Sequence, residues 1–127
     1  MTNDAGNNAV LEPSDRLFRT AAEIASLPMS SQAGAPKGGG ARLLMVTADM
    51  QCSEIQMDSG AREDMHTHHD HSAIGCLLSG RLRLVIGGET FDAAPGDAWL
   101  HPRGVPHQVE ALEKSSYLEV RSPASPS

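Results

Sequence analysis

Six histidines are the residues of this 127-residue chain that could bind a metal ion. Four of them fall in the run His66-Thr67-His68-His69-Asp70-His71, and His101 and His107 follow further along. On a strand, the side chains of His66 and His68 would share one face and aim two imidazoles at one point. Neutral imidazole suits one divalent transition metal such as Zn, Fe, Ni or Mn. Two neighbouring ligands make a weak site, so a third should come from a distant strand; otherwise the run is an exposed, accidental cluster.

The segments around the histidines have the pattern of short strands separated by glycine and proline turns. Apolar or alternating segments predict strands over residues 42–48, 52–57, 72–78, 81–86, 89–92, 98–101, 107–110 and 117–121. The Gly87-Gly88 pair predicts a tight two-residue hairpin turn, because glycine tolerates positive φ. Many short strands at regular spacing are typical of an all-β barrel or sandwich. Such a fold can bring a ligand from a distant strand to His66 and His68.

The predicted barrel occupies residues 41–121, between an N-terminal extension and linker over residues 1–40 and a C-terminal tail over residues 122–127. Residues 1–13 are polar and without periodicity, which predicts a loosely ordered tail. Residues 14–27 predict a short helix with Ser14 as its N-cap and Pro28 as its stop, although a strand fits nearly as well. The linker over residues 29–40 is rich in Ser, Gly, Ala and Pro.

Charge and composition restrict the partners of this chain. The formal net charge is −6, which argues against nucleic acid, because surfaces that bind nucleic acid need clustered Lys and Arg. No apolar run of about 20 residues occurs, so no membrane span is predicted. The N-terminus lacks the pattern of a signal peptide, and the only two cysteines, Cys52 and Cys76, are far apart. These features predict a cytoplasmic protein with reduced, buried or half-buried thiols.

The spacing of glycine, histidine and proline resembles the two motifs of the cupin family. The first motif is carried by Gly60, then after five residues His66-Thr67-His68, then Ala73 and Gly80. The second motif is carried by Gly96, then after five residues Pro102-Arg103-Gly104, then His107 and Ala111. The resemblance covers about residues 41–121. It implies a cupin jelly-roll β-barrel with one metal held by His66, His68 and His107.

Two positions depart from the cupin pattern, and they leave the ligand set open. Ala73 stands where the family usually has a glutamate ligand, and Ala111 stands where it usually has a non-ligating asparagine. Strand alternation puts His71 on the face of Ala73, so His71 could be a fourth metal ligand in the space beside the alanine. Alternatively, His71 lies in a turn and faces solvent. Asp70 could orient a ligand imidazole by accepting its N–H group.

Other side chains are candidates for binding a substrate, and each has a plainer interpretation. His101 could face the barrel interior as a substrate contact or could be a histidine on the rim. Trp99, two residues earlier on the same face, could wall the pocket or belong to the core. Arg81 or Arg83 could bind a substrate carboxylate, although solvated arginines are the commoner outcome. No catalytic residue is assigned from the sequence.

The second half of the chain is also similar to small cupins that linearise unsaturated uronates and to small cupins of polyketide cyclisation. The similar runs are residues 74–75, 78–80, 86–89, 104–113 and 118–123. The resemblance implies a metal-dependent enzyme for isomerisation, cyclisation or elimination of a small carbonyl, sugar-acid or polyketide-like substrate. Two alternatives stay open, a three-histidine iron dioxygenase and a non-catalytic cupin that senses or binds small molecules. Small cupins usually pair through outer sheet faces, so a homodimer is expected.

Overall fold

The computed structural model describes residues 13–30 and 37–124. It contains one short helix, α1 (Ala21–Ala25), and eight strands. The strands are β1 (Gly39–Val46), β2 (Gln51–Met57), β3 (Ser72–Ser79), β4 (Leu82–Ile86), β5 (Glu89–Ala93), β6 (Ala98–His101), β7 (His107–Ala111) and β8 (Ser115–Ser122). All eight predicted strands are therefore confirmed, each to within about three residues at its ends. The predicted N-terminal tail lies largely outside the described residues, as do residues 31–36 of the linker and the last three residues of the C-terminal tail, while the end of the linker, Gly39 and Gly40, belongs to β1.

The eight strands form two antiparallel sheets, as a cupin jelly roll requires. One sheet has the order β1-β2-β8-β3-β6 and the other the order β5-β4-β7. Isolated bridges from Arg62 to Glu110 and from His66 to His107 dock the segment before β3 onto β7. Gly87 and Gly88 both have positive φ and join β4 to β5, which confirms the predicted hairpin turn.

The segment before β1 differs from the predicted helix over residues 14–27. The helix begins after Thr20, whose hydroxyl accepts a hydrogen bond from the N–H of Glu23, while the Glu23 carboxylate accepts one from the N–H of Thr20. Ser14 is not the N-cap, because its hydroxyl instead accepts a hydrogen bond from the backbone N–H of Val46 at the end of β1. A reciprocal cap satisfies two backbone donors at once, so Thr20 fixes the start of the helix.

The barrel interior divides into an apolar end and a polar end. Side chains of both sheets form one hydrophobic core, made of Ala41, Ile55, Met57, Leu77, Leu82, Leu84, Ala93, Val109, Ala111 and Tyr117. The buried polar side chains are Gln51, Ser53, His71, His101, His107, Ser115 and Arg121. The row Gln51, Arg121, Ala73 and His101 lies four residues along the strands from the row Ile55, Tyr117 and Leu77. Ser115 is the exception among the polar side chains, because it pairs with Met57 of the core. The buried polar side chains of the first row therefore lie at one end of the barrel, next to the packed hydrophobic core.

Within the described residues, no helix is long and apolar enough to cross a membrane. Cys52 and Cys76 are both free and half-buried, as the sequence predicts.

Candidate metal centre

The backbone of His66 pairs directly with that of His107, and this pairing brings two distant parts of the chain together. The N–H of His66 donates to the carbonyl of His107 at 3.0 Å, and the N–H of His107 donates back at 2.8 Å. His66 and His68 lie outside the named strands, since β3 starts only at Ser72, although His66 forms an isolated β-bridge with His107. They lie on an extended loop, and the N–H of Gly104 donates to the carbonyl of His68 at 2.8 Å. Docking of the loop onto β7, rather than strand alternation, orients the two imidazoles.

The three imidazoles of His66, His68 and His107 converge. Their ring centroids are 4.8 Å apart for His66 and His68, 4.4 Å for His66 and His107, and 5.2 Å for His68 and His107. One ligand nitrogen from each lies within 4.8 Å of the others. Nδ1 of His66 donates to the carbonyl of Asp64 at 2.7 Å, and Nδ1 of His107 to that of Val105 at 3.2 Å. Nε2 of His66 and Nε2 of His107 therefore keep their lone pairs, so this arrangement could hold one divalent metal ion.

His71 is buried, so the interpretation that places it in solvent is wrong. Its side chain is 1% exposed, and its ring centroid is 4.3 Å from that of His68. Nδ1 of His71 donates to the Asp70 carboxylate at 2.7 Å, which is the orienting contact predicted for Asp70. Nε2 of His71 is buried without a hydrogen-bond partner. A buried lone pair without a partner fits a metal ligand better than a residue that only fills space.

His101 also faces the barrel interior and does not lie on the rim. It is 5% exposed, and its ring stacks on that of His107 with centroids 3.9 Å apart and planes at 11°. It pairs in register with Ala73, which is buried as the motif predicts. Nε2 of His101 has no hydrogen-bond partner. An unpaired buried nitrogen beside the three histidines is available to a ligand.

Trp99 contributes to the core and also to the wall of a cleft. Its ring lies over Gly75, packs on Tyr117 with centroids 5.4 Å apart, and contacts the hydrophobic core. It also lines a cleft of about 430 Å³ between β5 and β6, together with Ile86 and Phe91. Ile86 pairs in register with His107, so the cleft is lined by the strand next to the one that carries this candidate ligand. The core interpretation of Trp99 is therefore confirmed, whereas the residues that line this cleft include no histidine, and a role in the wall of the metal pocket stays a prediction.

Burial keeps the clustered imidazoles neutral. Desolvation, aided by the neighbouring histidines, lowers the pKa of His68 and that of His101 to about 3. Desolvation is also the main reason that the pKa values of His71 and His107 are lowered. Since a metal binds only the unprotonated nitrogen, these imidazoles are in the ligating form at neutral pH.

Sequence reasoning missed three charged residues of the polar end, namely Glu63, Glu119 and Arg121. Nε of Arg121 donates to the Glu119 carboxylate at 2.8 Å, and both side chains are largely buried. Burial first, and then the charge of Glu119, raises the pKa of Glu63 to about 8. By contrast, Arg83 is exposed and paired with Asp92, in keeping with the solvated interpretation. Alternation along β8 was the available signal, because Glu119 and Arg121 share the inward face of Tyr117.

Comparisons with known proteins agree with this fold. The family model of the Cupin domain matches residues 53–120. Oxalate decarboxylase OxdC from Bacillus subtilis is 29% identical over 90 residues, which cover 63% of this chain and 23% of the decarboxylase. The chain thus spans less than a quarter of that relative, which contains Mn(II) centres.

Two solved structures are similar over most of the chain. KdgF from a Halomonas species is 29% identical with a TM-score of 0.67, covering 69% of this chain and 81% of KdgF. The polyketide cyclase RemF from Streptomyces resistomycificus is 18% identical with a TM-score of 0.72, covering 87% of this chain and 83% of RemF, a likeness of fold alone. Because the family model covers more than half of the residues and the barrel has the matching architecture, this chain belongs to the cupin family.

Proposed function

We propose that this protein is a metal-dependent cupin enzyme that isomerises, cyclises or eliminates from a small carbonyl, sugar-acid or polyketide-like compound without a redox step. The convergence of His66, His68 and His107 is the observation that carries this proposal. A divalent metal at this point would act as a Lewis acid on a carbonyl or hydroxyl oxygen of the substrate. Three neutral imidazoles would leave its positive charge uncompensated.

The polar end of the barrel supplies groups for proton transfer. Burial, and then the nearby Glu119 carboxylate, raises the pKa of the Glu63 carboxyl. With a pKa of about 8, the Glu63 carboxyl is protonated at neutral pH and is in the form that donates a proton. Isomerisation and elimination both need a proton to be taken up or delivered, so a buried acid of this kind suits them.

One similar protein supports chemistry on a small acid. OxdC is an oxalate decarboxylase with Mn(II) centres. The share of OxdC that this chain spans is too small to transfer the decarboxylase activity itself. The similarity nonetheless agrees with a small-molecule substrate.

An iron dioxygenase is the second candidate. The observation that favours it is Ala73, which removes the carboxylate expected beside the three histidines. A centre with imidazoles alone could hold iron for reaction with O₂. Metal identity separates the candidates: iron with oxygen uptake on substrate addition favours the dioxygenase, whereas turnover of a carbonyl compound under nitrogen favours the non-redox enzyme. A metal-loaded protein that binds such compounds without turnover would instead be a binding or sensing cupin.

The metal site is tested by elemental analysis of protein purified without a polyhistidine tag. His66→Ala, His68→Ala and His107→Ala should each lose most of the bound metal, because each removes one of few ligands. His69→Ala is the matched control, since His69 belongs to the same run but is exposed. Full metal occupancy in the His107 variant, at the level of the His69 control, would rule out the site.

A further inference from the structure

A row of four inward-facing residues crosses the five-stranded sheet beside the histidines. Gln51 pairs with Arg121, Arg121 with Ala73, and Ala73 with His101. All four are more than nine-tenths buried. Directly paired residues on one face have their Cβ atoms about 5 Å apart. Ala73, with its short side chain, therefore lies between Arg121 and His101 on the inward face of the sheet.

A bound divalent metal would leave the charges around Ala73 unbalanced in favour of an anion. Arg121 is 6% exposed, and its guanidinium lowers the pKa values of His68, His71 and His101, which places it near all three imidazoles. Glu119 balances this single charge, and the Asp70 carboxylate on His71 adds one further negative charge. A divalent metal held by neutral imidazoles would add two positive charges, one more than Asp70 balances. Buried positive charge without a counter-ion is unfavourable, so the site favours an anionic ligand.

His101 adds an independent observation that points to a ligand. Its Nε2 is buried and has no hydrogen-bond partner, although its ring is held in place by stacking on His107. Buried polar atoms in folded proteins nearly always have a partner. A ligand oxygen above Ala73 would provide one, because His101 and Ala73 are directly paired.

We infer that the ligand of this protein carries a carboxylate group, which binds above Ala73 between Arg121 and His101. The ligand carboxylate would occupy the place of the side-chain carboxylate that the cupin motif usually has at this position. This inference rests on the proposed metal site and narrows its substrate class to carboxylic acids. Ala73 is then a specificity residue, because a longer side chain would fill the binding space.

The probe for this inference is malonate, titrated calorimetrically into zinc-loaded and metal-free protein, with the zinc content of each sample measured. Wild type should bind one malonate per chain. Ala73→Glu places a carboxylate beside Arg121 and should weaken malonate binding at least about tenfold while zinc is retained. The double variant Arg121→Gln/Glu119→Gln removes both charges, so neither is left unpaired, and should lose a similar factor. Arg83→Gln is the control, because Arg83 is exposed, and should bind like wild type.

Each outcome of the titrations has one meaning. Equal malonate affinity in zinc-loaded wild type and Ala73→Glu would overturn the inference, as would wild type that binds no malonate at millimolar concentration. Failure of wild type to retain zinc would instead overturn the proposed function. In that case the carboxylate site is tested by the titrations of metal-free protein. Weaker malonate binding by Ala73→Glu than by wild type would still support the carboxylate site, and equal binding would reject it. Thermal unfolding of every variant shows that it is folded.

Discussion

Acid should destabilise the metal-free protein, because its buried imidazoles resist protonation. The pKa of His101 is lowered from 6.5 to about 3 by burial and by the neighbouring His107, and His68 is lowered to the same value. The unfolded chain therefore binds protons below pH 6.5 that the folded chain does not bind. The stabilisation from this difference is present above pH 6.5 and is lost progressively as the pH falls towards about 3.

The size of the effect follows from the two shifts. Each such imidazole costs about 1.4 kcal/mol of unfolding free energy per pH unit, or about 2 kcal/mol between pH 6.5 and about 5. His68 and His101 together cost about 4 kcal/mol over this interval, and His71 and His107 act in the same direction. Glu63 acts oppositely, because its pKa of about 8 lets the folded state hold a proton that the unfolded state lacks. It offsets about 2 kcal/mol. The net loss of at least about 2 kcal/mol is a large part of ordinary domain stability.

Urea unfolding of chelator-treated protein at several pH values between about 7 and 5 measures this loss. His101→Phe keeps a ring to stack on His107 but removes one titrating group, so its stability should fall less steeply, by up to about 1.4 kcal/mol per pH unit. Glu63→Gln removes the group that acts in the opposite direction, so the stability of this variant should fall more steeply on acidification than that of wild type, by a similar amount per pH unit. Parallel pH profiles for wild type and His101→Phe would refute the reasoning, as would wild-type stability that rises on acidification.

Three further predictions concern the ligand set, the core and the assembly. His71→Ala should weaken metal affinity in competition with a chelator, because it removes a buried nitrogen beside His68; unchanged affinity would mean a three-histidine centre. Gly75→Ala should lower the unfolding free energy by about 1–3 kcal/mol, because the added Cβ would lie 2.2 Å from the Trp99 ring. A variant as stable in urea as the wild type would contradict this prediction and mean that the ring moves aside without cost. Light scattering should report a homodimer at micromolar concentration, and Leu100→Glu on the exposed outer face of the sheet should give a monomer; a monomeric wild type would contradict this expectation.

The strands could be predicted from sequence because a local signal specifies each of them. Alternation with a period of two gives the inward face of β2 and β4, and paired glycines give the turn between β4 and β5. The helix was placed less well, since a capping box at Thr20 and the competing contact from Ser14 to Val46 together set where it starts. The contact between Ser14 and Val46 joins residues far apart in sequence, so local helix propensity could not predict it.

The histidines of the candidate site were predictable from the sequence, but their surroundings were not. Motif spacing selected His66, His68 and His107, which the structure brings together. The pairing of Arg121 with Ala73 depends on which strands are neighbours in the sheet. Alternation in the sequence predicts which face of a sheet a residue lies on, but it does not predict the residue opposite it on the next strand. For the same reason His101 could not be separated from a rim histidine: only the register of β6 against β3 buries it.

The same burial that makes the metal-free barrel sensitive to acid prepares it for metal. Four imidazoles with lowered pKa values stay unprotonated well below the pH at which a free histidine is charged, so a metal would displace few protons when it binds. Hydrogen bonds to Asp70 and to backbone carbonyls fix the nitrogen that His71, His66 and His107 present. A ligand that binds only the folded state stabilises it. Metal should therefore raise stability by about the same amount at neutral and at mildly acidic pH, because these four imidazoles of the folded state stay unprotonated over that range while the metal-free protein loses stability.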